Sequence, residues 1–240
     1  MRITSLWLLF VIEISQASCY SPRDLRTANT ENLGGSLLAD IGDAVAGVVQ
    51  IYAVNAKDEG ISRGSGVVIF RDNAGSLVLT ARHMTEGAGD DSPAKWIIKK
   101  NGLVVKARCI KRGATQDEDW ALLESSYPVG DAVPVLESHG FRSHVRPYED
   151  CVAIGYALGF DTLTVTLGHI QDADPNSSVF RMSSPIIFGN SGGGLFVTDS
   201  GRLKLAGITV AVGGSGTQAV PHLGFSVSLD TIRRRGGLTR

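Results

Sequence analysis

Phe188-Gly-Asn-Ser-Gly-Gly-Gly-Leu-Phe-Val197 is a glycine-dense turn that runs straight into an apolar, strand-like segment. Flexible Gly/Ser linkers continue into polar sequence. This one continues into Leu195, Phe196 and Val197, so it reads as the ordered mouth of a buried strand. Neighbouring runs carry the same signature. Upstream lie Cys151–Ile154, Thr162–Leu167 and Val179–Met182; downstream lie Leu203–Val210 and Gly224–Val227. Thr162-Leu-Thr-Val-Thr-Leu167 alternates strictly, as a half-buried strand does. An earlier series comprises Val48–Val54, Gly66–Phe70, Leu77–Thr80, Leu103–Ile110 and Trp120–Leu123. Most of these runs are rich in β-branched or aromatic residues and are bounded by Gly, Asp, Asn, Ser or Pro. Short strands at close spacing, with 29 glycines against 8 prolines, predict an all-β sandwich or barrel rather than βαβ units.

Residues 125–150 separate the two series. They contain three prolines, two histidines and many charges, and read as a long connection between two β units. Apolar residues at three- and four-residue spacing predict a short helix over Leu37–Val45. The segment from Ile232 onward opens as another short helix and carries three successive arginines. The N-terminus has one cation, Arg2, and a mostly apolar run from Ile3 to Ile14, interrupted by Glu13. With small residues at Ser15 and Ala17, residues 1–17 read as a signal peptide cleaved after Ala17. The expectation is therefore a secreted or periplasmic protein whose mature form has no stable membrane insertion. Residues 18–36 read as a flexible arm, and 236–240 as a tail.

Composition narrows the function. A formal net charge of −1 gives no electrostatic bias toward nucleic acid or an anionic membrane. The chain has no CxxC pair, no HExxH and no GxxxxGK[ST], so neither a metal nor a nucleotide cofactor is expected. Cys19 lacks the aliphatic residue that a lipoprotein box would want at Gln16. Export would permit a disulfide between Cys109 and Cys151, but two separate thiols are the expected state.

The glycines around Ser191 let the backbone present a hydroxyl outward while flanking N–H groups converge on one point, the geometry an oxyanion hole requires. A serine hydroxyl is a weak nucleophile until a base within hydrogen-bond reach takes its proton, and that base needs an orienting partner. Of the five histidines, His83 ends the strand-like run Leu77-Val-Leu-Thr-Ala-Arg-His, which places it at the rim of a β unit. His139, His144, His169 and His222 have no comparable context. Asp119, in Gln116-Asp-Glu-Asp-Trp-Ala-Leu-Leu123, abuts a strongly apolar run that draws its carboxylate inward, where it must find a partner. Asp117, two residues further from that run, is the alternative.

His83 in LTARH, Asp119 in DWALL and Ser191 in GNSGG together resemble the three motifs of the trypsin-like (chymotrypsin-fold) serine proteases, closest in appearance to the HtrA/DegP-like branch. The order His, Asp, Ser separates this fold from subtilisins and α/β-hydrolases. Gly64-Ser-Gly-Val-Val68, Val152-Ala-Ile-Gly-Tyr-Ala-Leu-Gly159, Leu205-Ala-Gly-Ile-Thr209 and Gly224-Phe-Ser-Val-Ser228 extend the resemblance over about residues 37–235. It implies two six-stranded antiparallel β-barrels, at about 45–125 and 151–230, with the active site between them. By the same resemblance Ser191 is the nucleophile, His83 the general base and then acid, and Asp119 the group that fixes the imidazole tautomer. The N–H groups of Gly189 and Ser191 form the oxyanion hole.

Departures refine the expectation. Asn190 stands where digestive relatives carry an Asp that pairs with a new N-terminus, so no zymogen-style activation is expected. No PDZ domain is expected after the protease domain. Pro185 occupies the position of the acid that binds Lys or Arg in trypsin-like pockets. An apolar wall of Pro185, Ile186 and the strand through Gly207, Ile208 and Thr209 implies a small or medium aliphatic P1 residue, with the substrate added as a β-strand along Gly207–Val210. The expected partners are polypeptide substrates. The alternatives are an inactive binding module on the same fold and an esterase using the same triad.

Overall fold

The computed structural model describes residues 35–55, 57, 60–85, 95–136, 145–174, 177–215 and 218–236. The expected signal peptide, most of the N-terminal arm, Cys19 and residues 237–240 lie outside this set, as do residues 86–94 of the loop after His83.

Twelve strands form two closed antiparallel barrels, as the family resemblance implied. The first holds β1 (Val48–Val54), β2 (Gly60–Arg71), β3 (Ser76–Thr80), β4 (Lys95–Lys100), β5 (Leu103–Arg112) and β6 (Ala121–Ser125), in the order β1-β2-β3-β6-β5-β4. The second holds β7 (Asp150–Gly155), β8 (Thr164–Asp172), β9 (Val179–Met182), β10 (Gly194–Asp199), β11 (Arg202–Ser215) and β12 (Gln218–Ser228), in the order β10-β11-β12-β9-β8-β7. Helix α1 (Gly35–Gly47) precedes β1, and α2 (Leu229–Gly236) follows β12. Among the described residues no helix is long and apolar enough to cross a membrane.

Local chemistry explains the strand joints. β4 and β5 meet through Asn101-Gly102 with φ of 49° and 81°, and Lys100 pairs with Leu103. A two-residue hairpin needs two left-handed residues, and Asn-Gly supplies them at low cost. Ser200-Gly201, with φ of 54° and 77°, does the same between β10 and β11. Between β2 and β3 the Asp72 carboxylate accepts the N–H groups of Ala74 and Gly75, closing an Asx-type turn.

The barrels share a core. One apolar cluster runs from Val48, Ile51, Val67 and Leu79 of the first barrel to Phe196, Leu205, Ile208 and Val227 of the second, with Trp96, Trp120 and Ile232 packed in the same mass. Burying this much apolar surface fixes the two barrels against each other. The connecting chain is also tied to both. Val133 N–H donates to Val68 O, while Val135 bridges to Leu205 and Leu136 N–H donates to Leu205 O.

Candidate active site

His83 is delivered by the end of β3. The strand is buried as far as Ala81, where the chain tightens into a 3₁₀ turn over Arg82–Thr85 and turns the imidazole to the rim. Asp119 follows a second 3₁₀ turn, Gln116–Glu118. Its position is set by the residue after it: Trp120 is only 1% exposed, its N–H donates to Glu118 O, and its carbonyl accepts Gly113 N–H. A Cβ on Gly113 would lie 1.8 Å from Glu118 O, so the tight return needs glycine. The two side chains then meet. Asp119 Oδ2 accepts from the His83 ring Nδ1 at 2.6 Å, and Oδ1 of the same carboxylate accepts the His83 backbone N–H at 2.8 Å. Asp119, rather than the exposed Asp117, is the carboxylate on the imidazole. The Asp119 side chain is 18% exposed and that of His83 36%, so the pair is shielded on the acid side and open on the base side.

Ser191 sits on the turn between β9 and β10, and this turn is fixed peptide by peptide. Phe188 O accepts from Leu158 N–H, Gly189 O from the Ser65 hydroxyl at 2.8 Å, Asn190 O from Gly193 N–H and the Thr209 hydroxyl, and Ser191 O from Ser65 N–H at 2.7 Å. The N–H groups of Asn190, Gly192 and Gly193 are bonded to Ile187, Thr209 and Asn190 carbonyls. Among the described residues no carbonyl accepts the N–H of Gly189 or Ser191. An oxyanion hole needs backbone donors left without such an acceptor, here those of Gly189 and of the serine itself. Gly189 and Gly192 have φ of 93° and 81°, the left-handed region that favours glycine.

The serine turn packs against the strand end that carries His83. A Cβ on Gly192 would lie 2.3 Å from Thr80 Oγ1 and 2.8 Å from Ala81 N. At Gly64, both Met84 Sδ, next to His83, and Ser191 O would lie within 3 Å of an added Cβ.

The expected pocket residues are placed as follows. Ile186 is buried and Pro185 half-buried, whereas Ile187 and Phe188 are 44% and 73% exposed beside the turn. Gly207, Ile208 and Thr209 are all buried. Gly207 and Ile208 pair with both β10 and β12, and Thr209 exchanges bonds with Gly192 and Gly193 while pairing with Ser226. These three residues therefore have no edge to offer a substrate strand. From Val210 onward β11 pairs, among the described residues, with β12 alone. The edge expected along Gly207–Val210 thus begins only at Val210, because the turn carrying Ser191 occupies the earlier positions.

Sequence reasoning passed over the residues that hold the turn: Ser65, Thr209 as an anchor, and the turn Ala157–Gly159. The signal for Ser65 was its place between two glycines in Gly64-Ser-Gly66, quoted above only as a family match. Gln50, itself 2% exposed, donates its amide to Gly159 O and Phe160 O from the first barrel.

The family model described as "Trypsin-like peptidase domain" matches residues 64–208. The serine protease Do-like HtrA of Bacillus subtilis (strain 168) is 28% identical over 196 residues, covering 72% of this chain. The chain spans only 41% of that relative's length. The fold is also that of the Rv3671c protease from M. tuberculosis in its active form, with a TM-score of 0.62 at 18% identity, covering 84% of this chain and 85% of that one. The HtrA-type protease AlgW, solved with a decapeptide, gives a TM-score of 0.60 at 22% identity, covering 82% and 66%. With more than half of its residues inside the family match, and with two closed six-stranded barrels, this chain belongs to the trypsin-like peptidase domain family.

Proposed function

We propose that the chain is a serine endopeptidase that hydrolyses polypeptides through an acyl-enzyme, with Ser191, His83 and Asp119 as its triad. The observation that carries this reading is the double grip of Asp119 on His83, one carboxylate oxygen on the ring Nδ1 and the other on the backbone N–H. That grip fixes the tautomer in which Nε2 carries the lone pair and can accept a proton. Ser191 Oγ attacks the scissile carbonyl as its proton passes to His83 Nε2. The oxyanion is received by the N–H groups of Gly189 and Ser191. The imidazolium then protonates the leaving amine as the C–N bond breaks, and a water activated by His83 releases the acyl group. The imidazolium is stabilised throughout by the Asp119 carboxylate.

The substrate strand pairs with β11 from Val210 onward, by addition to that edge. Pro185 and Ile186 line the primary pocket with apolar surface and offer no buried charge, which favours a small or medium aliphatic P1 residue over Lys or Arg. Residues 1–17 direct export, with cleavage after Ala17, so the mature protease acts outside the cytoplasm.

The test uses purified chain and its Ser191→Ala variant on a peptide library, with a fluorophosphonate probe and a matched ester. The expected result is cleavage after Val, Ala or Leu, probe on Ser191, and no turnover by the variant. An unlabelled Ser191 with no peptide cleavage would identify a binding module. Ester turnover with intact peptides would identify an esterase.

A further inference from the structure

Ser65 is fully buried on β2, and each of its polar atoms is used. Its N–H donates to Ser191 O at 2.7 Å and its carbonyl accepts the Thr80 hydroxyl at 2.7 Å. Its own hydroxyl donates to Gly189 O at 2.8 Å and accepts Tyr156 N–H at 2.8 Å. Tyr156 opens the turn in which Leu158, held at φ 55°, donates its N–H to Phe188 O. One hydroxyl of the first barrel thus grips both the serine turn and the second-barrel turn that backs it.

A trans peptide fixes N–H and C=O in opposite directions, so holding the carbonyl aims the amide. Leu158 holds the carbonyl of the peptide whose N–H belongs to Gly189. Ser65 holds the next carbonyl along and, through Tyr156, the base of the Leu158 turn. Gly155 leaves room for this contact, since a Cβ there would lie 3.0 Å from Ser65 Oγ and 2.9 Å from Asn190 Oδ1.

We propose that the Ser65 hydroxyl is a positioning residue for the oxyanion hole, clasping Gly189 C=O and Tyr156 N–H so that the Gly189 amide points at the developing oxyanion. This rests on the endopeptidase reading above. Removing the hydroxyl leaves two buried polar groups unpaired and loosens both the Gly189–Asn190 peptide and the Tyr156–Leu158 turn that holds the Phe188–Gly189 peptide. The loss falls on the transition state, where the negative charge develops, and not on substrate binding along β11.

The experiment compares wild type, Ser65→Ala and Ser65→Cys by kcat and KM on one peptide. It also compares affinity for a peptide boronic acid, whose tetrahedral adduct needs the hole, with affinity for the corresponding peptide amide, which does not. Thermal melts verify folding. The expected result for Ser65→Ala is a kcat about 10- to 100-fold lower, KM within about twofold, boronate affinity reduced in parallel with kcat, and amide affinity retained. Ser65→Cys, a weaker donor, falls between, and it carries the test alone where Ser65→Ala does not fold. Unchanged kcat in the folded variants, or equal losses for boronate and amide, overturns the proposal. A wild-type chain that turns over no peptide overturns the endopeptidase reading instead.

Discussion

Asp119 holds His83 at two points, with Oδ2 at 2.6 Å from the ring Nδ1 and Oδ1 at 2.8 Å from the backbone N–H. The second contact ties the carboxylate to the main chain of the residue it orients, so ring and acid cannot drift apart independently. An Asn at this position would keep its carbonyl on the backbone N–H and turn its amide toward the ring. Nδ1 would then accept, and Nε2 would carry the proton it needs to be free of.

Asp119→Asn is therefore expected to lower kcat by about 10³- to 10⁴-fold at neutral pH while leaving the melting temperature nearly unchanged. Steady-state kinetics beside a thermal melt checks this. A loss below tenfold would contradict the assigned tautomer.

Gly192→Ala tests the packing of the serine turn. The new methyl would fall 2.2 Å from the Ser65 carbonyl oxygen at a φ of 81°. Backbone strain and overpacking each cost about 1–3 kcal/mol, and two of the three nearest obstructing atoms, Ser65 O and Ala81 N, are backbone. Urea denaturation should show the unfolding free energy lowered by that combined amount, through a lower midpoint at unchanged slope, with activity lost even in the folded fraction.

Lys100 tests the seating of α1. It is 8% exposed and donates Nζ to Val45 O and Val48 O, at 2.6 and 2.7 Å, where the helix ends and β1 begins. Burial holds its pKa below the ordinary lysine value, against the attraction of Asp131. Lys100→Met keeps the stem but strips the donors from two carbonyls, and should destabilise by about 2–4 kcal/mol. Circular dichroism melts read this directly. Lys100→Arg, which restores donors but not the fit, should recover only part of it.

Cys151 gives a pH signature. Desolvation pushes its thiol up to about 11, outweighing the hydrogen bond with Ser184. The unfolded chain therefore loses this proton first, and the group's contribution is intact below about pH 9 and lost as pH rises toward 11. Cys151→Ala should flatten the alkaline fall in stability between those values by on the order of 2 kcal/mol. Cys109, exposed on β5, and Cys151, buried on β7, are both free thiols. Iodoacetamide should label Cys109 in the native protein and reach Cys151 only after denaturation.

Much of the architecture was legible because strands announce themselves by period and boundary. Val48–Val54 and Val179–Met182 occupy the expected positions residue for residue. β4 was overlooked: Lys95, Lys99 and Lys100 mask an alternation in which Trp96 and Ile98 point into the core, and only the Asn101-Gly102 turn betrays it. β8 starts two residues late and runs on to Asp172, because pairing of His169 with Asp150 and of Ile170 and Asp172 with β9 prolongs a strand that local hydrophobicity would end. His83 and Asp119 were legible because their neighbours, Leu77–Thr80 and Trp120–Leu123, had to be buried. Which edge of β11 stays open was not, since strand pattern reveals pairing but not which partner arrives first. The contacts of the Ser65 hydroxyl were hidden for the same reason: its two partners are peptide groups, which every residue possesses.

The ties that hold the serine turn end on main-chain atoms, Leu158 N–H, Ser65 N–H, Thr209 O and the Gly193 amide, and on two hydroxyls, those of Ser65 and Thr209. Peptide groups survive any exchange of side chain. A scaffold built this way tolerates exchange at many positions, but not at the two hydroxyls or at the glycines whose Cβ would strike its backbone.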